Sequence, residues 1–224
     1  MRKLNKTCCY STKYHEWLTE LETANQNHRE YDASFKYYWD VVMNLFHCQN
    51  GLCAYTEKRL CPEKYYNADK WAKGRYKRVN YVPTKPKIKG ELEHFDTKLK
   101  PKKGWLWNNF FMVDSDVNSR AKGMMVVDPM LKPDNVDYDE FALFEYDSSM
   151  HIFKANTGLP KAKQNIINEF ADAIMNFDPV IDERRTLITK ILKLIDFGAE
   201  NWDSLEIDEF PTALEMIRRE KASI

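Results

Sequence analysis

A short polar sequence in the middle of the chain constrains the fold and its chemistry more than any other feature. Glu93 directly precedes His94, and two asparagines, Asn109 and Asn118, follow farther along. Residues 87–95 alternate roughly between polar and apolar side chains, which is typical of one arm of a β-hairpin. Adjacent strand residues point to opposite faces, although both can reach one centre near a strand end or a bulge. The spacing therefore neither proves nor excludes a site shared by Glu93 and His94.

Residues 51–130 have the prolines, glycines and lysines expected of loops around short strands. A short apolar run at residues 124–127 predicts a further strand. Residues 141–153 predict a hairpin with its turn at residues 147–149. Asn50 and Gly51 form a turn signal that is expected to end a helix.

Apolar and aromatic residues recur at helical spacing on both sides of this region. Before it, the positions are Tyr14, Trp17, Leu18 and Leu21, and then Phe35, Tyr38, Trp39, Val42 and Phe46. After it, they are Ile166, Ile167, Phe170, Ile174 and Phe177, then Leu187, Ile188, Ile191, Leu192 and Ile195, and finally Phe210, Leu214 and Ile217.

The predicted fold class is therefore α+β, in a single domain over residues 1–224. Its parts are a helical segment (1–50), a site region (51–130) and a C-terminal segment with a hairpin and helices (131–224). The site region has few apolar residues, so we expect the helical flanks to supply much of its core.

The charges are unevenly distributed although the chain as a whole is neutral. Residues 58–103 contain 15 Lys and Arg against 5 Asp and Glu, whereas residues 128–224 contain 11 against 20. A basic segment in a neutral chain indicates either a polyanion-binding surface or a solvated loop balanced by acidic helices. Aromatic residues interleaved with this charge, such as Trp71 and Tyr81, could stack on bases, cover the site or contact a partner.

No apolar run approaches the ~18 residues that suggest a membrane span. The basic N-terminus is not followed by the apolar stretch of a secretory signal. We therefore expect a cytoplasmic protein with no membrane partner. Its five cysteines have no framework spacing and are expected to be free thiols.

The central polar groups suit phosphodiester hydrolysis, which needs an activated water and charge stabilisation on the phosphate. Mg²⁺ prefers oxygen ligands, such as a carboxylate and an amide carbonyl, and retains several waters. A neutral imidazole can take the proton of a water near neutral pH. Helix capping by Asn118 remains an alternative role for that residue.

The motifs occur in a defined order along residues 50–130. They are Cys53-Ala54-Tyr55-Thr56-Glu57, Glu93-His94-Phe95, Trp107-Asn108-Asn109-Phe110, Asn118-Ser119-Arg120-Ala121-Lys122-Gly123 and Asp128-Pro129. This order resembles the HNH endonucleases found with ATPase partners in bacterial defence. They include the nuclease subunit of Septu-type anti-phage systems and the effector of some retron systems.

The resemblance implies a ββα-metal (His-Me finger) HNH core flanked by N- and C-terminal helices. Glu93 and Asn118 would be ligands of Mg²⁺ or Mn²⁺. His94 would be the general base, and Asn109 would orient it. The substrate would be DNA, and an ATPase subunit would be a partner.

Contacts to DNA phosphates would come from Lys98, Arg120 and Lys122. The family often has two Cys-x-x-Cys pairs that bind structural zinc. Here only Cys53 remains, and residues 114–117 stand where the second pair would be. Because such a site needs four ligands, we expect no structural zinc. The aromatic residues Trp105, Trp107, Phe110 and Phe111 would hold the loop by packing.

Two further hypotheses remain open. The site could be degenerate, leaving a nucleic-acid-binding module without catalysis. The chain could also serve mainly to bind an ATPase through its helical flanks, which is compatible with nuclease activity. Retention of the four polar groups favours the active nuclease.

Overall fold

The computed structural model describes residues 1–7, 9–77, 88–123 and 125–222. This part of the chain is a mixed α+β fold in which helices surround three two-stranded antiparallel sheets. In chain order, apart from short 3₁₀ turns, the helices and strands are α1 (Thr12–Thr23), α2 (Tyr38–Cys48), β1 (Trp71–Ala72), β2 (Arg75–Tyr76), β3 (Gly90–His94), α3 (Lys100–Lys103), β4 (Phe110–Asp114), a π-helix (Val117–Lys122), α4 (Glu140–Leu143), β5 (Phe144–Asp147), β6 (Ile152–Ala155), α5 (Lys161–Phe170), a second π-helix (Ala171–Met175), α6 (Asp178–Asp196) and α7 (Pro211–Ala222).

The predicted N-terminal helices are confirmed as α1 and α2. Helix α2 stops at the predicted turn, where Asn50 and Gly51 both have positive φ angles, of 53° and 72°. Glycine is required at the second position because a Cβ there would lie 2.1 Å from the carbonyl oxygen of Cys61.

The predicted hairpin arm is confirmed from Gly90 onward as β3; residues 78–87 lie outside the described residues. Its antiparallel partner is β4, with Gly90 opposite Asp114 and His94 opposite Phe110. The strand predicted at residues 124–127 is wrong for the described residues 125–127, which are irregular. A helix has already ended at Gly123, and Asp128 caps the next turn by accepting a hydrogen bond from the Met130 N–H.

The outer edge of β4 is paired by a side chain. The amide of Gln49 accepts from the Met112 N–H at 2.8 Å and donates to the Met112 carbonyl at 2.8 Å. The N–H of Ala54 donates to the same carbonyl at 3.0 Å. Buried backbone groups need such partners, so the end of α2 and the segment after it act as a third strand would.

The C-terminal hairpin is confirmed as β5 and β6, and the three predicted helices are confirmed as α5, α6 and α7. The chain before β5 differs from the prediction, because Glu140–Leu143 forms a helical turn. The carboxylate of Asp139 accepts from the N–H groups of Phe141 and Ala142, which favours a helix start.

The central hairpin shares one hydrophobic core with both flanks, as its sparse apolar content predicts. Tyr55 lies between Phe111 of β4 and Phe170 of α5. From α1, the hydroxyl of Tyr14 donates to the Trp105 carbonyl at 2.6 Å. In the described ranges, no helix is both long and apolar enough to cross a membrane.

Candidate functional site

Strand β3 and the π-helix Val117–Lys122 (the site helix) bring two pairs of polar side chains together. Glu91 and Glu93 lie two residues apart and share one face of the strand. Asn118 and Lys122 lie four residues apart on the site helix. Asn118 Nδ2 donates to Glu91 Oε2 at 3.2 Å, and Lys122 Nζ forms an ion pair with Glu93 Oε1. The two predicted ligands therefore lie in one strand–helix contact, but each has another partner: Glu93 pairs with Lys122, and Asn118 bonds Glu91.

The site helix begins shortly after β4 ends. Asp114 Oδ1 accepts from the Asp116 N–H at 2.9 Å and from the Val117 N–H at 3.4 Å. The helix ends at Gly123 (φ 47°), whose N–H reaches the carbonyl of Asn118 at 2.9 Å, one residue farther than in an α-helix. Asn118 thus lies near the start of a short helix, but Asp114 is the residue that caps it.

Glu93 and Lys122 form a buried ion pair. Glu93 is 6 % exposed, and the side chain of Lys122 is fully covered. Burial raises the pKa of Glu93, and the Lys122 ammonium opposes that rise. The Lys122 ammonium thus compensates the charge of a carboxylate that has lost most of its contact with water.

The imidazole of His94 is held in one tautomer. Its Nε2 lies 2.9 Å from the carbonyl oxygen of Gly104, which can only accept, so Nε2 carries the proton and Nδ1 bears the lone pair. Among the described residues nothing hydrogen-bonds Nδ1. The edges of Tyr31 and Phe110 pack against the ring at centroid distances of 5.0 and 4.8 Å. Burial lowers the pKa of His94, which favours the neutral base.

Glu93 and His94 belong to one electrostatic environment although they are neighbours on a strand. After the effect of burial on each, Lys100 and Lys122 both lower the pKa of Glu93 and of His94. His94 is the last residue of β3, where the strand gives way to a turn. The position at a strand end is the one in which two adjacent side chains can serve one centre.

Asn109 fixes the chain beyond His94. Its Oδ1 accepts from the Asp96 N–H at 2.8 Å, its Nδ2 donates to the Asp96 carbonyl at 2.9 Å, and its own carbonyl accepts from the Phe95 N–H. In the described structure its side chain makes no bond to the imidazole. Asn109 therefore positions the backbone on which His94 lies, whereas Gly104 and the aromatic rings orient the ring itself.

The three predicted phosphate-binding residues differ in exposure. Lys98 is exposed beside Asp96, and the Arg120 side chain is 73 % exposed with Asp116 as a distant partner at 3.5 Å. Lys122 is the opposite case, because its ammonium is buried against Glu93. Only Lys98 and Arg120 present their charges to solvent.

Sequence reasoning missed four residues that shape the site: Glu91, Lys100, Tyr31 and Gln49. Glu91 could have been found, because period-2 alternation places it on the face of Glu93. Lys100 lies in a lysine-rich turn where no single residue stands out. Tyr31 and Gln49 reach the hairpin from far along the chain, and no local pattern marks them.

The cysteine region is held by hydrogen bonds and ion pairs. Cys53 is buried, its sulfur accepts from the Asp114 N–H at 3.4 Å, and burial raises the pKa of its thiol. Lys58 bridges Asp114 at 3.5 Å and Glu183 at 2.8 Å. Trp105, Trp107, Phe110 and Phe111 are all buried, and Phe111 packs against Tyr55 of this region. Within the described ranges, no three or more His, Cys, Asp or Glu side chains are grouped as a metal site. A pair made of one carboxylate and one amide falls below that number.

The sequence matches no protein-family model, no curated protein and no solved structure. The geometry of the site is accordingly the basis for any functional conclusion.

Proposed function

We propose that the protein is a metal-dependent endonuclease of HNH type, with a ββα-metal core formed by β3, β4 and the site helix. It would hydrolyse phosphodiester bonds of DNA. The observation that supports this most is the fixed tautomer of His94, whose basic Nδ1 has no hydrogen-bond partner in the described structure. A general base must keep one lone pair available, and the fixed tautomer leaves that of Nδ1.

The donor set fits a hard divalent cation. Glu93 supplies a buried carboxylate oxygen that already has a positive charge against it, and Asn118 has an amide oxygen one helical turn from Lys122. Both are ligand types that Mg²⁺ or Mn²⁺ prefers. Bound there, the ion would supply positive charge to the phosphate and to the leaving oxygen.

The protein groups then have distinct roles. His94 Nδ1 takes a proton from the attacking water, and the Gly104 carbonyl stabilises the resulting imidazolium through Nε2. Asn109 maintains the turn that follows His94. Lys98 and Arg120, both exposed near the site, contact phosphates of the DNA backbone, so binding is expected to weaken with salt.

Replacing His94 by alanine tests the proposal. We expect cleavage of DNA in Mg²⁺ or Mn²⁺ to fall on the order of 10²–10⁴-fold, the range for loss of a general base. His47→Ala, a half-buried histidine outside the site, is the matched control and should cut at the wild-type rate. Equal cleavage by wild type and His94→Ala, with circular dichroism showing both folded, would refute the assignment.

A catalytically degenerate, nucleic-acid-binding subunit is the second candidate. It is favoured by the burial of the site, because His94 is 4 % exposed and the Lys122 ammonium is already paired with the Glu93 carboxylate. Salt-sensitive DNA binding without cleavage, in several metals and with any partner present, would distinguish it from the nuclease.

The wider assignment rests on the resemblance of the motifs. We propose cytoplasmic anti-phage defence with an ATPase subunit that releases the nuclease when needed. Co-purification of the chain with the product of a neighbouring gene tests this directly.

A further inference from the structure

The ion pair between Lys122 and Glu93 leaves most of the lysine's hydrogen-bonding capacity unused. The side chains are 0 % and 7 % exposed, and Lys122 Nζ contacts Glu93 Oε1 directly. In the described part of the chain, the ammonium has no second acceptor. An ammonium has three donors, and leaving two of them without a protein acceptor in a buried site is costly.

Lys6 shows what a structural buried lysine looks like in this fold. Its Nζ donates to the carbonyls of Trp107 at 2.8 Å and Phe110 at 2.9 Å, and it pairs with Asp134 at 3.1 Å. All three of its donors have acceptors. Lys122 has one ionic contact, which is the arrangement expected of a cation that compensates a carboxylate and can be replaced by another cation.

We propose that the Lys122 ammonium is an exchangeable counter-ion of Glu93, and that a divalent cation binds Glu93 only by displacing it. The inference rests on the proposed metal-dependent function and adds its regulation. Two cations at one carboxylate oxygen repel each other, and repulsion is strong where water is excluded. Glu91, exposed on the same strand face, offers the displaced ammonium a second carboxylate.

The site helix is suited to this exchange. Asn118 and Lys122 lie on one face of it, one above Glu91 and the other above Glu93. Its hydrogen bonds are of the wider π type, which is frequent where a helix carries a functional irregularity. The Asp114 cap lies at the opposite end of the helix from Lys122 and does not involve that side chain.

Calorimetric titration of Mn²⁺ into the full chain tests the exchange without any cleavage assay. Lys122→Met removes the competing charge and retains the length of the side chain, so we expect at least tenfold tighter Mn²⁺ binding than in wild type. The double variant Glu93→Gln/Lys122→Met should lose the gain. Equal or weaker binding by Lys122→Met, or tight binding that survives in the double variant, would overturn the proposal.

A second measurement uses the wild-type chain and stays decisive if Lys122→Met does not fold. Each lysine is trace-labelled with acetic anhydride, with and without millimolar Mn²⁺, and quantified by mass spectrometry. Labelling of Lys122 should rise several-fold with Mn²⁺ while Lys6 stays protected. Unchanged labelling of Lys122 contradicts the exchange.

These outcomes are separable from those of the proposed function. A chain that exchanges Lys122 for Mn²⁺ but cuts equally well with and without His94 would keep this inference and refute the nuclease mechanism. A chain that needs His94 to cut but binds Mn²⁺ no tighter as Lys122→Met would do the reverse.

Discussion

Two buried lysines, Lys6 and Lys122, separate the supporting part of this molecule from its candidate site. Lys6 fastens the N-terminal segment to the hairpin loop through two carbonyls and Asp134. Lys122 contacts the carboxylate of Glu93 and has no second acceptor among the described residues. The same residue type is thus fully satisfied where the fold is held and under-satisfied where chemistry is proposed. Strain of that kind is expected at functional sites.

The largest effect on stability should come from Lys6→Met. The change removes one donor from each of two buried carbonyls and one of the two lysine partners of Asp134. Breaking a buried charged pair costs about 3–5 kcal/mol. Denaturant unfolding monitored by circular dichroism measures the loss. A loss below ~1 kcal/mol would mean that Lys6 does not hold the loop.

A pH dependence of up to about 3 kcal/mol should accompany Lys6. Burial lowers its pKa from 10.5 to about 8, ahead of the opposing effect of Asp134. Between those values the unfolded chain binds more protons, so the Lys6 contribution to the free energy of unfolding increases as pH rises from 8 to 10.5. Buried tyrosines such as Tyr14 have raised pKa values and act in the opposite direction. The difference between wild type and Lys6→Met isolates the effect; parallel curves would contradict it.

Asn109→Ala should cost about 2 kcal/mol, because two buried hydrogen bonds to Asp96 are lost. Its neighbour Asn108 is exposed, so Asn108→Ala should stay within ~0.5 kcal/mol of wild type. Thermal and chemical unfolding of the two variants give the comparison. If the two asparagines cost the same, Asn109 does not anchor the turn after His94.

Lys122→Met should cost the least of the three buried changes, about 1 kcal/mol. Burial already raises the pKa of Glu93, so that carboxyl can take up a proton once its partner is gone. Unfolding in metal-free buffer tests this prediction. A loss as large as that of Lys6→Met would show that the Lys122 contact is structural and would remove the contrast.

Periodicity predicted the longer helices, β3 and the β5–β6 hairpin, but it gave no bounds for β1, β2, β4 or the site helix. The apolar spacing around Val42 and Ile188 predicted α2 and α6, and the alternation near Leu92 predicted β3. It failed at residues 125–127 and at Glu140–Leu143, where caps from Asp128 and Asp139 override the apolar pattern. Side-chain capping depends on local hydrogen bonds, which the spacing of apolar residues does not indicate.

Only part of the candidate site could be predicted from the sequence. Motif order pointed to Glu93, His94, Asn109 and Asn118, and the fold places all four on or beside β3 and β4. The pairing of Lys122 with Glu93 could not be predicted, because the sequence gives charge but not burial. Tyr31 beside His94 is a tertiary contact with no local signal.

Anomalous diffraction from crystals grown with Mn²⁺ tests the central claim most directly. We expect one peak bound by oxygens of Glu93 and Asn118, with Lys122 Nζ moved away and His94 Nδ1 facing the open side of the ion. The opposite result would be a protein that cleaves DNA but whose Mn²⁺ crystals show Lys122 still paired with Glu93 and no peak at that site. That result would contradict the proposed metal site.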